Sequence, residues 1–271
     1  MISEIRIIIS LLLLISFASS AEQMHPQKEQ FTLTSYQNNY VLPYYSSTSP
    51  NQAYFEPQNP NDSKVNKTSV QFQLSLKYGL VANMFSNNDG LYFSYTQLSN
   101  WQAYDKSAYF KDTDYKPEIF WVFIHNQAIA AWTFSQTQLG LEHQSNGKGG
   151  IYERSWNRAY MDFTFTENTF SLNIKPWLRL RVPSSRDYNP DILHFMGNGH
   201  IGLSWQQGKH KLSLNLRNQI ESNFSRGYEA LSWRFPIYQK LNGYIKAESG
   251  YGLTISNYNH YDNALGIGIS L

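Results

Sequence analysis

Val70-Gln71-Phe72-Gln73-Leu74-Ser75-Leu76-Lys77-Tyr78 carries an apolar side chain at every even position and a polar one at every odd position. Successive side chains of an extended strand point to opposite sides, so this stretch has one greasy row and one wet row. Phe170-Ser171-Leu172-Asn173-Ile174-Lys175 repeats the pattern, as do Leu212, Leu214 and Leu216 against Lys211, Ser213 and Asn215. No stretch after residue 21 shows a convincing 3.6-residue period or an apolar run long enough for a spanning helix, so the class is all-β.

Counting such segments with their turns predicts strands near 38–47, 69–81, 90–102, 116–126, 129–146, 154–167, 169–182, 192–207, 210–220, 226–235, 239–255 and 259–271. A soluble sandwich also alternates, but its strands average about 5–6 residues. These are longer and match the roughly 9–11-residue tilted strands that cross a bilayer. The expectation is a twelve-stranded antiparallel transmembrane β-barrel over 38–271, its last strand (Leu265, Ile267, Ile269, Leu271) closing on its first so that no edge stays open. Trp101, Trp132, Trp177, Trp205 and Trp233 near strand ends suit interfacial girdles. Pro43 and Pro176 fall inside predicted strands and call for bulges or shifted boundaries. Residues 22–37 and 48–68 read as a periplasmic N-terminal segment and a loop, with no repeat and no interdomain linker.

Composition narrows the function classes. The 271 residues hold 22 Lys+Arg against 20 Asp+Glu, a net charge of +2, which gives no reason to expect nucleic acid. Charged residues are 15% and mean hydropathy is −0.48, so the polarity comes from amides, hydroxyls and 20 tyrosines rather than from ions. The absence of cysteine rules out disulfides, thiolate metal sites and cysteine nucleophiles. Arg6, the apolar run Ile7 to Ile15 and the small residues Ala18-Ser19-Ser20-Ala21 read as a secretory signal peptide over 1–21, too short to be a comfortable membrane span.

One segment stands out. In Gln138-Leu139-Gly140-Leu141-Glu142-His143-Gln144-Ser145, period two puts His143 and Ser145 on the face of Leu139 and Leu141, the lipid side. Asn157 shares its face with Ala159, Met161 and Phe163 on the next strand. Polar groups towards hydrocarbon are costly, so a function or a protein contact is expected there. His143 and Ser145 lie roughly 7 Å apart at Cα, within reach of a hydroxyl–imidazole contact, and pairing across the 147–153 loop brings Asn157 to the far ring nitrogen. Ser145 would attack, His143 take the proton and Asn157 orient the ring; a neutral amide avoids burying a carboxylate at the lipid surface. His-x-Ser alone also fits ordinary rim residues, and His125, His194, His200, His210 and His260 have no such companion and read as rim or lumen residues.

His143-Gln144-Ser145-Asn146-Gly147 followed by Arg154-Ser155-Trp156-Asn157-Arg158 resembles the signature of outer-membrane phospholipase A, a twelve-stranded barrel enzyme of Gram-negative outer membranes. Ser94-Tyr95-Thr96-Gln97, Tyr115 with Pro117 and Phe120, Lys175-Pro176-Trp177, Asn189-Pro190-Asp191-Ile192 with Met196-Gly197, and Ser249-Gly250-Tyr251-Gly252 extend the likeness from about residue 31 to the end. The resemblance implies calcium-dependent hydrolysis of acyl esters in membrane phospholipids by a homodimer. Ser145 would then be nucleophile, His143 base, Asn157 the orienting residue and the Gly147 amide an oxyanion donor. It also implies Ca²⁺ held by the Lys148 carbonyl, the Glu153 side chain and the Ser107 carbonyl of the partner subunit, and a dimer contact through Gln97. Two positions depart from the family: Lys148 stands where arginine is usual, and Glu153 where serine is usual. The rival readings are a small transport or adhesion barrel, its lumen plugged by Arg158, Asp162 and Lys175, and a relative whose catalysis has decayed.

Overall fold

The computed structural model describes residues 24–271, so the expected signal peptide lies outside the described residues. After a helical turn at Pro26–Glu29, the described residues form thirteen strands: β1 Leu33–Ser35, β2 Tyr40–Ser47, β3 Thr68–Ala82, β4 Asp89–Gln102, β5 Tyr109–Ile129, β6 Trp132–Ser145, β7 Ser155–Glu167, β8 Phe170–Leu180, β9 Gly199–Gln207, β10 His210–Arg217, β11 Tyr228–Tyr238, β12 Leu241–Tyr251 and β13 Tyr261–Ser270. β2 to β13 pair antiparallel in sequence order, and β13 returns to β2 through pairs such as Leu265↔Ser46 and Ser270↔Tyr40. The barrel is closed with twelve strands. β1 lies along β3 at Leu33↔Tyr78, just beyond where β2 pairs at Tyr40↔Gln73, so β1 and β2 share one edge of β3 end to end.

Alternation has the sense that lipid demands. On β3, Gln71, Ser75 and Lys77 are buried in the interior while Leu74 and Tyr78 are exposed. The outer surface carries Phe93, Ile119, Leu139, Leu141, Met161, Leu203, Leu231 and Ile267, an apolar belt where a soluble protein would place charge. Turns at 83–88, 130–131, 168–169, 208–209 and 239–240 are short, whereas the opposite end carries the long connections 48–67, 146–154, 181–198 and 252–260. Such asymmetry sets the long loops on the extracellular side.

The interior is filled by ion pairs and rings. Glu142 pairs with Arg158, and its second oxygen accepts from Lys175 Nζ at 3.2 Å. Lys175 also approaches Glu118 at 3.8 Å, and Glu118 accepts the Tyr160 hydroxyl at 2.6 Å. Arg158 lies over the Trp156 and Trp177 rings. An aromatic and aliphatic layer of Tyr92, Phe120, Trp156, Tyr160, Trp177, Ile192, Ile255 and Tyr258 adjoins these charges. Arg158, Asp162 and Lys175 thus plug the lumen as expected, which disfavours an open pore.

Several boundaries differ from the sequence reading. The strand expected over 192–207 begins at Gly199, because Ile192–Met196 forms a helical turn whose Ile192 and Met196 are buried in that layer. β5 extends both ways to 109–129, and Gln52–Phe55 and Glu56–Gln58 add helical turns to the 48–68 loop. Pro43 coincides with register shifts on both flanks of β2. Pro176 produces none: the β7–β8 ladder skips it and resumes in the same register. Trp101 and Trp233 are exposed, as girdle residues should be, but Trp177 falls on the inward parity of β8, where its indole N–H donates to the Gly197 carbonyl at 2.8 Å. Burial of two cations against Glu142 makes that carboxylate the most exacting interior group. Glu142→Ala is expected to destabilise the micelle-refolded barrel by about 3–5 kcal/mol, read as a lower urea midpoint with the slope unchanged.

Candidate active site

β6 and β7 build the site between them. Their register sets His143 opposite Asn157 and Ser145 opposite Ser155. All three predicted triad side chains share the outward face with Leu139, Leu141, Ala159 and Met161, while their neighbours Glu142, Gln144, Trp156 and Arg158 point inwards and are buried. Every peptide linking these residues is therefore clamped from the lumen side. Gln144 accepts from Trp156 Nε1 at 3.0 Å and donates to Asp114 Oδ2 at 2.9 Å; Asp114 in turn accepts the Ile255 amide at 3.0 Å.

His143 Nδ1 lies 2.8 Å from Asn157 Oδ1. An amide oxygen only accepts, so Nδ1–H is the donor in this contact and Nε2 is the ring nitrogen left on the other side. Ser145 is in the same outward row two residues on; no hydrogen bond joins its hydroxyl to His143 among the described residues. Catalytic hydrogen bonds are often long before substrate arrives. Together with Phe93, Ile119, Leu141 and Leu180, His143 and Asn157 line a shallow depression of about 330 Å³ on the lipid-facing wall.

The loop after β6 is held by Asn146, which the sequence reading did not assign a role. Its amide nitrogen donates to the Tyr54 hydroxyl (2.9 Å), the Tyr152 carbonyl (2.9 Å) and Ser256 Oγ (3.0 Å), and its oxygen accepts from the Lys148 and Arg154 amides. One side chain thus ties the loop to the 48–67 and 252–260 connections. Its place between Ser145 and Gly147 was the one available signal, because its partners come from distant segments. Gly147 adopts φ +66°, and a Cβ there would sit 2.7 Å from Tyr115 Cε2. Both the left-handed backbone and the Tyr115 ring demand glycine at this position.

Of the three expected metal donors, Lys148 and Glu153 lie on this loop. Lys148 turns its ammonium to Gln58 Oε1 (2.7 Å) and the Lys111 carbonyl (3.1 Å), and burial, partly offset by the Asp112 carboxylate, lowers its pKa from the ordinary lysine value. Glu153 Oε1 lies 3.4 Å from Ser155 Oγ, beside the β7 residue that faces Ser145. A carboxylate and a main-chain carbonyl are hard oxygen donors of the kind calcium takes, so the residues fit the ion in type. Ser107 is exposed on the 103–108 loop, and its carbonyl accepts from Asn61 Nδ2 at 3.0 Å within its own chain. Among the described residues no group of three or more His, Cys, Asp or Glu side chains could hold a metal ion.

Gln97 stands at the height of Ser145 on the outer wall, through the registers Gln97↔Tyr115 and Tyr115↔Ser145. It accepts from the Tyr95 hydroxyl (2.9 Å) and donates to Ser99 Oγ (3.0 Å), so its polar atoms are satisfied within its own strand. Among the other histidines, His200 does have an amide partner, Asn215 Oδ1 at 3.0 Å, contrary to expectation. That pair faces the lumen between β9 and β10, where His200↔Arg217 and Asn215↔Gly202 register.

The family model of phospholipase A1 matches residues 18–271. The phospholipase A1 of Proteus vulgaris is 32% identical over 253 residues, covering 93% of this chain and 85% of that protein, and that of Escherichia coli K12 is 31% identical at the same coverage. Among solved structures, the outer membrane phospholipase of Salmonella typhi, a dimer with bound calcium, superposes with a TM-score of 0.83 at 30% identity, covering 89% of this chain and 92% of that one. The outer membrane phospholipase A of Escherichia coli gives 0.83 at 30% identity, covering 89% and 98%. With the closed twelve-stranded barrel, the lipid-facing His143–Asn157 pair and near full-length similarity all in agreement, the chain belongs to the phospholipase A1 family of outer-membrane barrels, a family of lipid-ester hydrolases.

Proposed function

We propose that this protein is a calcium-dependent serine hydrolase of the outer membrane that cleaves acyl esters of phospholipids and lysophospholipids, with phospholipase A1 and A2 activity, as a homodimer. The observation that carries the reading is the 2.8 Å contact of His143 Nδ1 with Asn157 Oδ1 on a wall that faces lipid, with Ser145 in the same row. A hydrogen-bonded imidazole has no structural reason to face hydrocarbon, whereas an esterase whose substrate is the membrane itself needs it there.

In this mechanism the acyl chain lies against Leu141 and Leu180 and the ester carbonyl reaches Ser145. Ser145 Oγ attacks the carbonyl carbon as His143 Nε2 takes its proton, the Asn157 oxygen holding the ring and favouring the imidazolium through Nδ1–H. The carbonyl oxygen, now an oxyanion, accepts from the Gly147 amide. Collapse breaks the C–O bond to the glycerol oxygen, which receives the His143 proton and leaves as lysolipid. Water then adds to the acyl carbon as His143 takes its proton, and the C–O bond to Ser145 Oγ breaks, Oγ receiving that proton from His143 as the fatty acid leaves. Calcium, when bound by the Lys148 carbonyl, Glu153 and the Ser107 carbonyl of the partner subunit, would supply positive charge beside the oxyanion. In this reading a calcium donor from a second barrel, and a contact through the outward-facing Gln97, tie activity to dimerisation.

Fatty-acid release from phospholipid micelles tests the reading. Ser145→Ala is expected to cut the rate by roughly 10⁴-fold or more, and chelation of calcium to abolish it; wild type equally active in chelator would remove the metal from the mechanism, and a fully active Ser145→Ala protein would sink the triad. Gly147→Ala, forced against φ +66° and the Tyr115 ring, is expected to lower kcat by roughly 10²-fold while the heat-resistant barrel band on a denaturing gel persists. Gln97→Ala is expected to reduce the cross-linked dimer fraction and the activity together, a coupling that an equally active monomer would contradict.

A further inference from the structure

Two prolines of the barrel wall face the β6–β7 hairpin that carries His143 and Asn157. On β5, the pairs Tyr115↔Ser145 and Glu118↔Glu142 set Pro117 opposite His143, yet the ladder is interrupted between them: Lys116 and Gln144 are unpaired, and so are Pro117 and His143. On the other side, Tyr160↔Trp177 and Phe163↔Ile174 set Pro176 opposite Met161, and the ladder again lapses over two positions. The outer flanks of both prolines are intact, with Tyr95↔Pro117 towards β4 and Pro176↔Gly199 towards β9. Each proline therefore turns its missing N–H towards the hairpin.

The interruption at Pro117 falls on the imidazole's own backbone. In an antiparallel ladder each residue exchanges its N–H and C=O with one neighbouring strand, and the next residue with the other. The His143 carbonyl faces the proline nitrogen, so it lacks its ladder donor, and among the described residues no other backbone amide donates to it. An unsatisfied carbonyl in a lipid-facing wall is costly, and proline inside a sheet is ordinarily confined to edges and bulges. Such a cost is expected where function requires it. On the opposite side nothing is relaxed: Glu142↔Arg158, His143↔Asn157, Gln144↔Trp156 and Ser145↔Ser155 pair without a break, and the Ser155 amide is tethered to Asn189 Oδ1 at 3.0 Å. Residues 143–145 are thus fastened to β7 and loose towards β5. The Pro117 ring lines the same depression as His143 and Asn157. Of the two contacts that hydrolysis needs, imidazole to amide is made, whereas hydroxyl to imidazole is not made among the described residues.

We propose that Pro117 is a positioning residue: by withholding the ladder donor opposite His143, it leaves residues 143–145 free to shift against β5, so that the imidazole and the Ser145 hydroxyl close to hydrogen-bond distance when an ester enters the depression. The unbroken β7 ladder carries Asn157 along, so the orienting contact survives the shift. This rests on the hydrolase reading above and adds to it how the nucleophile and its base come together.

The test compares the full-length barrel, refolded in dodecyl maltoside, with two variants. Pro117→Val supplies the N–H and keeps apolar bulk in a residue that suits a strand; Pro117→Ala supplies the N–H and removes the bulk. In both, kcat on phosphatidylcholine is expected to fall roughly tenfold, the scale of one net hydrogen bond, with KM unchanged. Wild-type kcat in Pro117→Val, or a loss confined to KM, would make Pro117 a packing residue and overturn the role. A lower urea midpoint in both variants would do the same, since a restored ladder bond raises it. A second arm needs no turnover: in Ser145→Ala protein, amide hydrogen exchange at His143 is expected to be roughly tenfold slower with Pro117→Val than with proline. Equal exchange rates would overturn the looseness on which the shift depends. Slower exchange supports it even if wild type hydrolyses nothing, an outcome that would remove the hydrolase reading alone.

Discussion

A backbone N–H or C=O in hydrocarbon has no water to bond, so every strand that enters the membrane must find two neighbours. The closure of β13 on β2 meets that constraint, and the rest of the molecule follows from it. A closed ring of strands has two faces and no edge, and alternation sends half the side chains to lipid and half to a narrow interior. Interior polar groups must then satisfy one another. Glu142 with Arg158 and Lys175, Glu118 with Tyr160, and Gln144 with Trp156 and Asp114 do so across four strands.

This packing also serves the chemistry. His143 and Asn157 are the outward neighbours of Glu142 and Arg158 on the same two strands. The interior ion pair therefore fixes the spacing and register of the two backbones that carry the outward imidazole and amide. Loop residues alone would leave the 2.8 Å contact to chance; a paired ladder anchored from behind holds it before any substrate arrives. Asn146 performs the same service for the loop that carries Gly147 and Lys148, using five hydrogen bonds to three segments.

Much of this was legible in one sequence. Strict alternation at 70–78 and 170–175 gave the strand class, and the lengths gave the barrel, because both are properties of local chain geometry. The shared face of His143 and Ser145 was readable for the same reason. Local patterns misled where long-range packing overrode them. Trp177 has the composition of a girdle residue, yet its parity and its bond to the Gly197 carbonyl put it inside. Ile192–Met196 is as apolar as a strand but is drawn into a helical turn by burial of Ile192 and Met196.

The sequence by itself determined which residues can face lipid and which face the interior, and that an imidazole and a hydroxyl share one face at His143 and Ser145, since side-chain alternation and residue type are local. Only the tertiary structure decided which of them meet. The register that sets Asn157 across from His143, the ring of Tyr115 against Gly147, the reach of Asn146 to Tyr54 and Ser256, and the tether from Asn189 to Ser155 all join residues on different segments. Those meetings depend on how many strands close the ring and how far each is staggered against the next, a property of the whole sheet that no single strand contains.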